Sequence, residues 1–229
     1  MQIIRPGPLH EQAYQILLTM LLEEEYQPGE RLVETKLAEK LGVSRGTIRE
    51  SIRMLIKDGL LIQNESVISV YKPTLQDVID LYECRERLES LAAKLAVENM
   101  TESLEKQINE VLMKSKKALA EEHPSKLVEL NTQFHELIIR ASRNNPLMGL
   151  LETIRTKSLY MRNNILRDYY LTSNRKSYIG EHEQIFKAII EQDPIKAEEE
   201  MSKHINNDLS AFNDLFKNKT LDNVNICNK

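Results

Sequence analysis

The sequence predicts a mainly α-helical chain in two parts: a small N-terminal unit of three helices closed by a β-hairpin, and a larger all-helical unit. Three observations predict it. Apolar residues recur at helical spacing over most of the chain. The segments rich in β-branched and apolar residues with turn residues between them lie at Leu60 to Gln63 and Val67 to Tyr71. Lys72-Pro73-Thr74 then breaks the chain, and Thr74 is suited to cap a helix starting at Leu75. Of 229 residues, about 70 fall in the first part, which leaves roughly 150 for a second buried core.

In the first helix Leu9, Ala13, Ile16, Leu17, Met20 and Leu21 share a face, and Pro28-Gly29 turns the chain before Arg31-Leu32. The second helix carries Leu37, Ala38 and Leu41 as its apolar stripe. Gly42, free to adopt a left-handed backbone, ends it. Ser44 is a well-placed N-cap for the third helix. At 100° per residue Ile48, Ser51, Ile52 and Leu55 form one flank of that helix, while Arg45, Arg49 and Arg53 form the neighbouring one. Gly59 stops the helix, and Asn64-Glu65-Ser66 turns between the two strands. Two short helices about a Gly turn, the second basic and leading into a hairpin, make a winged helix-turn-helix. With its first turn in a major groove, the third helix presents Arg45, Thr47 and Arg49 to base edges and phosphates. The plainer alternative is a solvated basic face, and the register of the whole unit argues against it. Net charge is −4, so nucleic-acid binding has to come from a local patch. Residues 40 to 57 supply one, with Lys40, Arg45, Arg49, Arg53 and Lys57 against Glu50.

Helical periodicity resumes after Pro73 and predicts helices at about 75 to 97, 101 to 121, 124 to 143, 146 to 169, 174 to 191 and 194 to 217. The organisation expected is therefore a DNA-binding unit over 1–73, a helical unit over 74–217 and a flexible tail over 218–229. Several polar residues interrupt the apolar faces. Leu127, Leu130, Phe134, Leu137, Ile138 and Ala141 mark a core stripe, with Asn131 and His135 four apart along its edge. His182 shares a face with Ile185, Phe186, Ile189 and Ile190; His204 shares one with Met201, Ile205, Leu209 and Phe212. Such histidines are either partnered core residues or, if the bundle brings them together, donors for a borderline divalent transition ion. Arg85 is inward by register, suited either to a carboxylate ligand or to an ion pair with Glu89.

Two resemblances cover nearly the whole chain. Pro28-Gly29-Glu30-Arg31-Leu32, Leu37 through Arg45, Ile48-Arg49-Glu50-Ser51-Ile52 and Asp58-Gly59-Leu60-Leu61 resemble the GntR-type bacterial transcription regulators. That resemblance implies DNA contacts from Arg31, Arg45 and Arg49, with Ser44, Thr47 and Gly59 near the backbone. The wing tip Asn64-Glu65-Ser66 departs from the basic, Gly-rich tips of relatives, so helix contacts are expected to outweigh wing contacts. The second part resembles the helical ligand-binding domain of the FCD branch, through Leu81-Tyr82-Glu83-Cys84-Arg85, Leu88 through Ala96, Asn131, Phe134-His135, Glu181-His182, Ala188 through Asp193, Ala197 and His204. In metal-containing members this pattern implies an ion held by Asn131, His135, His182 and His204, with zinc the default and nickel or manganese the alternatives. Effectors of such members are small carboxylates, which points to Arg85, with Tyr82, Tyr160, Arg162 and Arg155 as further pocket residues. A homodimer is expected, because one recognition helix offers few base contacts and paired heads read a pseudo-palindrome. The function implied is an effector-controlled regulator of operator DNA, most commonly a repressor.

Other classes fit less well. The N-terminus lacks the apolar core of a signal peptide and no run is long enough for a membrane span, so a cytoplasmic protein is expected. Cys84 and Cys227 form no disulfide framework. A metal-dependent hydrolase using Glu181 or Glu136 is the enzymatic alternative, but no nucleophile motif or phosphate loop accompanies the histidines. A regulator that senses the ion itself is the other alternative.

Overall fold

The computed structural model describes residues 7–163 and 175–226, and the chain divides at Pro73 into two units. The first contains α1 (Leu9–Leu22), β1 (Arg31–Leu32), α2 (Glu34–Leu41), α3 (Arg45–Lys57), β2 (Leu61–Asn64) and β3 (Val67–Val70). α1 lies on α3, and Ala13, Leu17, Leu21, Leu37, Ile48, Ile52 and Leu55 close the core between the helices. Two polar ties fix that packing: the Ser51 hydroxyl donates to the His10 carbonyl at 2.7 Å and the Tyr14 hydroxyl to Asp58 at 2.5 Å. Leu9 and Ile16, expected on the buried face of α1, are 60% and 45% exposed. They sit seven apart on one flank, about 90° from Leu17, and the stripe through Ala13, Tyr14, Leu17, Met20 and Leu21 already fills the contact with α3.

The hairpin pairs Leu61 with Val70 and Asn64 with Val67, and β1 joins it as a third strand through Arg31 opposite Ser69 and Leu32 opposite Ile68, giving the order β1-β3-β2. β1 has two residues, too few to show a strand period in the sequence.

The second unit contains α4 (Leu75–Asn99), α5 (Glu102–Ala120), α6 (Pro124–Ala141), α7 (Asn145–Met161), α8 (Arg175–Ile190) and α9 (Pro194–Ile226). A reciprocal capping box between Thr74 and Asp77 starts α4, Thr101 caps α5, and Asn144 caps α7 above Pro146 at its second position. α4 runs along α9 and also packs on α6, while α8 lies on α9. The helix expected over 146 to 169 is described only to residue 163, its last two residues forming a π-helical turn that carries Arg162 inward. α9 is described through Ile226 and so is helical across the stretch read as a tail from 218. Residues 195 to 226 contain neither Gly nor Pro, so nothing in the sequence stops the helical hydrogen bonding.

Candidate functional site

In the first unit the basic helix is set up by its cap. Ser44 accepts from the Thr47 amide at 3.1 Å, and its hydroxyl also lies 2.9 Å from that of Thr47. Gly42, at φ 64°, makes the turn that allows α3 to start there. Ile48, Ser51, Ile52 and Leu55 are buried, which leaves Arg45, Arg49 and Arg53 on the exposed flank. Arg49 forms a forked pair with Glu34 at 3.0 and 3.3 Å, and Arg53 pairs with Glu50 at 2.6 Å. Arg45 has no ion-pair partner among the described residues. Arg31 is exposed on β1. Gly59, at φ 73°, lies beyond the far end of α3, a helix of 13 residues and about 20 Å. Arg45, Thr47 and Arg49 thus share one helix start, whereas Gly59 is set apart from them as a turn.

In the second unit three helices bring His135, His182 and His204 together in the interior, each less than 5% exposed. Nε2 of His204 lies 3.2 Å from Nε2 of His182 and 3.3 Å from Nε2 of His135. With zinc–nitrogen bonds of about 2.05 Å, the edge of a tetrahedral shell is about 3.3 Å. The spacing therefore suits three imidazoles facing one small ion. The far nitrogens face carboxylates: Nδ1 of His135 is 2.5 Å from Glu89 and Nδ1 of His204 is 2.8 Å from Glu181. A proton held at Nδ1 leaves the Nε2 lone pair aimed inward, the arrangement that orients metal-ligating histidines. Burial pushes His135 down to about 3, despite the opposing pull of Glu89, and holds His182 well below the usual imidazole range. Both rings are neutral near pH 7, as ligation requires. Asn131, one turn before His135, is likewise buried.

A cavity of about 460 Å³ reaches this cluster at His135, and its lining includes Arg85, Glu89, Thr132, Arg155 and Arg162. Arg85 donates to Glu89 at 2.7 Å, and both side chains are buried. Arg85 thus makes the ion pair with Glu89 considered for it, and it also stands on the cavity wall. Burial alone would raise Glu89, yet Arg85 and His135 outweigh it and hold the carboxyl below its ordinary range. Arg162 donates to Thr132 at 3.1 Å. Tyr82 is buried with the Arg85 guanidinium 4.7 Å over its ring, and burial raises its hydroxyl above the ordinary range. Neither Tyr82 nor the buried Tyr160 is among the residues that line the cavity. Arg155 lines it but is tied to Glu136 at 2.5 Å. Sequence reasoning misses Glu89 as a backing group for His135 and misses buried Asp208 altogether. Each stands four residues after a residue already singled out, Arg85 and His204, and that spacing is the available signal.

Comparison with known proteins agrees with this division. Residues 9–66 match the gntR family of bacterial regulatory proteins, and residues 80–207 match the FCD domain. The HTH-type transcriptional regulator YdhC of Bacillus subtilis is 33% identical over 89% of this chain and 91% of its own. The Uxu operon transcriptional regulator of Escherichia coli is 28% identical over 82% and 80%. Among solved structures, E. coli McbR/YncC superposes with a TM-score of 0.77 at 20% identity over 92% of this chain and 100% of that one. Streptococcus agalactiae GntR gives 0.52 at 26% identity over 88% and 99%. These relatives are named as regulators rather than enzymes, and among the described residues no helix is long and apolar enough to cross a membrane. The chain belongs to the GntR family of bacterial transcription regulators, with a winged helix-turn-helix unit followed by an FCD domain.

Proposed function

We propose that this protein is a cytoplasmic, homodimeric repressor whose affinity for double-stranded operator DNA is set by a small carboxylate bound beside a divalent ion, zinc first, in the helical unit. The observation that carries the reading is the convergence of three imidazole Nε2 atoms, two of their rings backed by carboxylates, at the end of a cavity that also holds a buried arginine. His135, His182 and His204 would hold the ion, with Asn131 as a neutral fourth donor. Bound there, the ion would supply a Lewis-acidic point of attachment for a carboxylate. Arg85 orients the same group from the cavity wall, and Glu89 fixes both Arg85 and His135. In the first unit Arg45, Thr47 and Arg49 read base edges, Arg31 meets phosphate, and Ser44 and Gly59 set the ends of the reading helix. An effector that binds one arrangement of the FCD unit better than another shifts the population of dimers whose two heads match the operator spacing.

The test joins metal content to DNA binding. Mass spectrometry of the purified chain is expected to find about one transition ion per chain, lost on chelation. Operator affinity, measured by fluorescence anisotropy, is expected to fall when a small carboxylate is added to the metal-loaded form. A response to metal alone would make the ion the signal. Absence of metal under replete conditions, with His135→Ala leaving the carboxylate response intact, would overturn the metal-assisted pocket.

A further inference from the structure

The cavity beside His135 has two unlike ends. At the deep end, the buried Arg85 gives Nε to Glu89, but its Nη1 and Nη2 have no hydrogen-bond partner among the described residues. Nε of buried Arg162 has none either. Buried donors left idle in this way are uncommon, and a planar two-oxygen acceptor matches the edge that Nη1 and Nη2 present.

Most of the remaining lining is apolar, with Thr132, Ser158 and Arg140 as further polar members. Ile139, Met148, Leu151, Ile154 and Leu159 form an apolar wall contributed by α6 and α7. Ile139, Leu151 and Ile154 pack with Ala92 and Leu147, so this wall is one face of the protein core. Gly149 also lines the cavity, and a Cβ built on it would meet nothing within 4 Å, so the space beside the wall is open. The charged groups Glu136, Glu152 and Arg155 satisfy one another, Arg155 lying 2.5 Å from Glu136 and 3.6 Å from Glu152 with about half its side chain exposed. They belong to the solvent side, and the hydroxyl of Ser158 is set among the apolar residues of α7. Ligand hydroxyls pressed against these aliphatic side chains would lose water and gain no hydrogen bond from them. A cavity of this volume is in the range that encloses a small molecule's body as well as its head group.

We infer that the effector is an amphipathic monocarboxylate, its carboxylate held by Arg85 and its alkyl or aryl part lying along the wall from Ile139 to Leu159. The inference rests on the carboxylate-effector reading and narrows it: a polyhydroxylated sugar acid or a tricarboxylate fits the deep end but not the wall.

The test is calorimetric titration of the full chain, with zinc added, against acetate, butanoate, hexanoate, octanoate, phenylacetate, glucuronate and citrate. Affinity is expected to rise about three- to fourfold per methylene until the wall is covered, with hexanoate bound at least about tenfold more tightly than glucuronate, which carries a carboxylate on a similar number of carbons. Gly149→Phe is expected to shift the preferred length to shorter acids. Affinity independent of chain length, or glucuronate or citrate bound more tightly than hexanoate, would overturn the amphipathic effector and leave the carboxylate reading standing. Failure of every acid to bind would overturn both.

Discussion

On α3 the charged side chains stand in water: Arg49 reaches Glu34 and Arg53 reaches Glu50 across the surface, and each arginine can exchange its acid for a phosphate. In the FCD unit Arg85, Glu89 and His135 form a chain of contacts of similar length with almost no exposed area. Distance alone does not separate the two sets; solvent does. Exposed pairs are screened and replaceable, which suits a surface that must trade partners on DNA. Buried pairs hold their members in one geometry, because a member left alone has no water to turn to. The same residue types therefore serve exchange in one unit and fixation in the other.

The sharpest way to break this contrast is Glu89→Ala. Removing one member of a buried pair costs about 3–5 kcal/mol, here increased by stranding both Arg85 and His135, and urea denaturation of the FCD unit would read it. Glu89→Gln, which keeps a hydrogen-bonding side chain, should cost less. A loss below about 1 kcal/mol for the alanine variant would mean that water reaches the pair.

Acid should separate the units next. His135 and His182 have folded pKa values below their unfolded ones, so the unfolded state takes up more protons and stability falls as pH drops below about 6.5, down to about 3 for His135. Each such buried imidazole contributes a slope of up to about 1.4 kcal/mol per pH unit within that window. Glu89, also lowered, adds to the loss below its ordinary range. Thermal melts of the metal-free chain from about pH 7.5 to 4 should show the FCD transition falling ahead of the N-terminal one; parallel shifts would contradict the assignment.

Arg45→Ala should lower operator affinity by about ten- to a hundredfold while both melting transitions stay in place. Retained sequence preference would move base reading elsewhere on the unit. The smallest effect is expected at the forked surface pair. Glu34→Gln frees Arg49 and should raise operator affinity less than about tenfold, with a steeper salt dependence and little change in folding. Weaker binding in this variant would show that Glu34 positions Arg49 for its contact.

The same division decides how legible each region is in the sequence. On α3 the charged and the buried residues occupy separate flanks, so Arg45, Arg49 and Arg53 stand out against Ile48, Ile52 and Leu55 by spacing alone. The histidines are legible as exceptions on apolar faces, and it takes a bundle to bring three such faces together. Glu89 is visible only as a partner for Arg85, because its second contact, His135, is 46 residues away on α6. The apolar wall reads as ordinary core: Ile139, Leu151 and Ile154 carry no mark that one side of them faces a cavity. Leu9 and Ile16 fail in the opposite sense, since hydrophobicity records what a residue tolerates and not which flank its neighbours fill. β1 is invisible because two residues carry no period, and its pairing depends on β3.

α4 begins just after its cap Thr74, and β3 ends at Val70. The tether between them, residues 71–74, spans at most about 14 Å when fully extended. Its far side is anchored by the Thr74–Asp77 box, which leaves the first turn of α4 little freedom to fray. From that box the helix runs without Pro or Gly to Arg85, eleven residues or about 16 Å on, and then to Glu89. The cap at Thr74 and the guanidinium at Arg85 therefore stand on one uninterrupted helix, and it is helical rise alone that sets the distance between them.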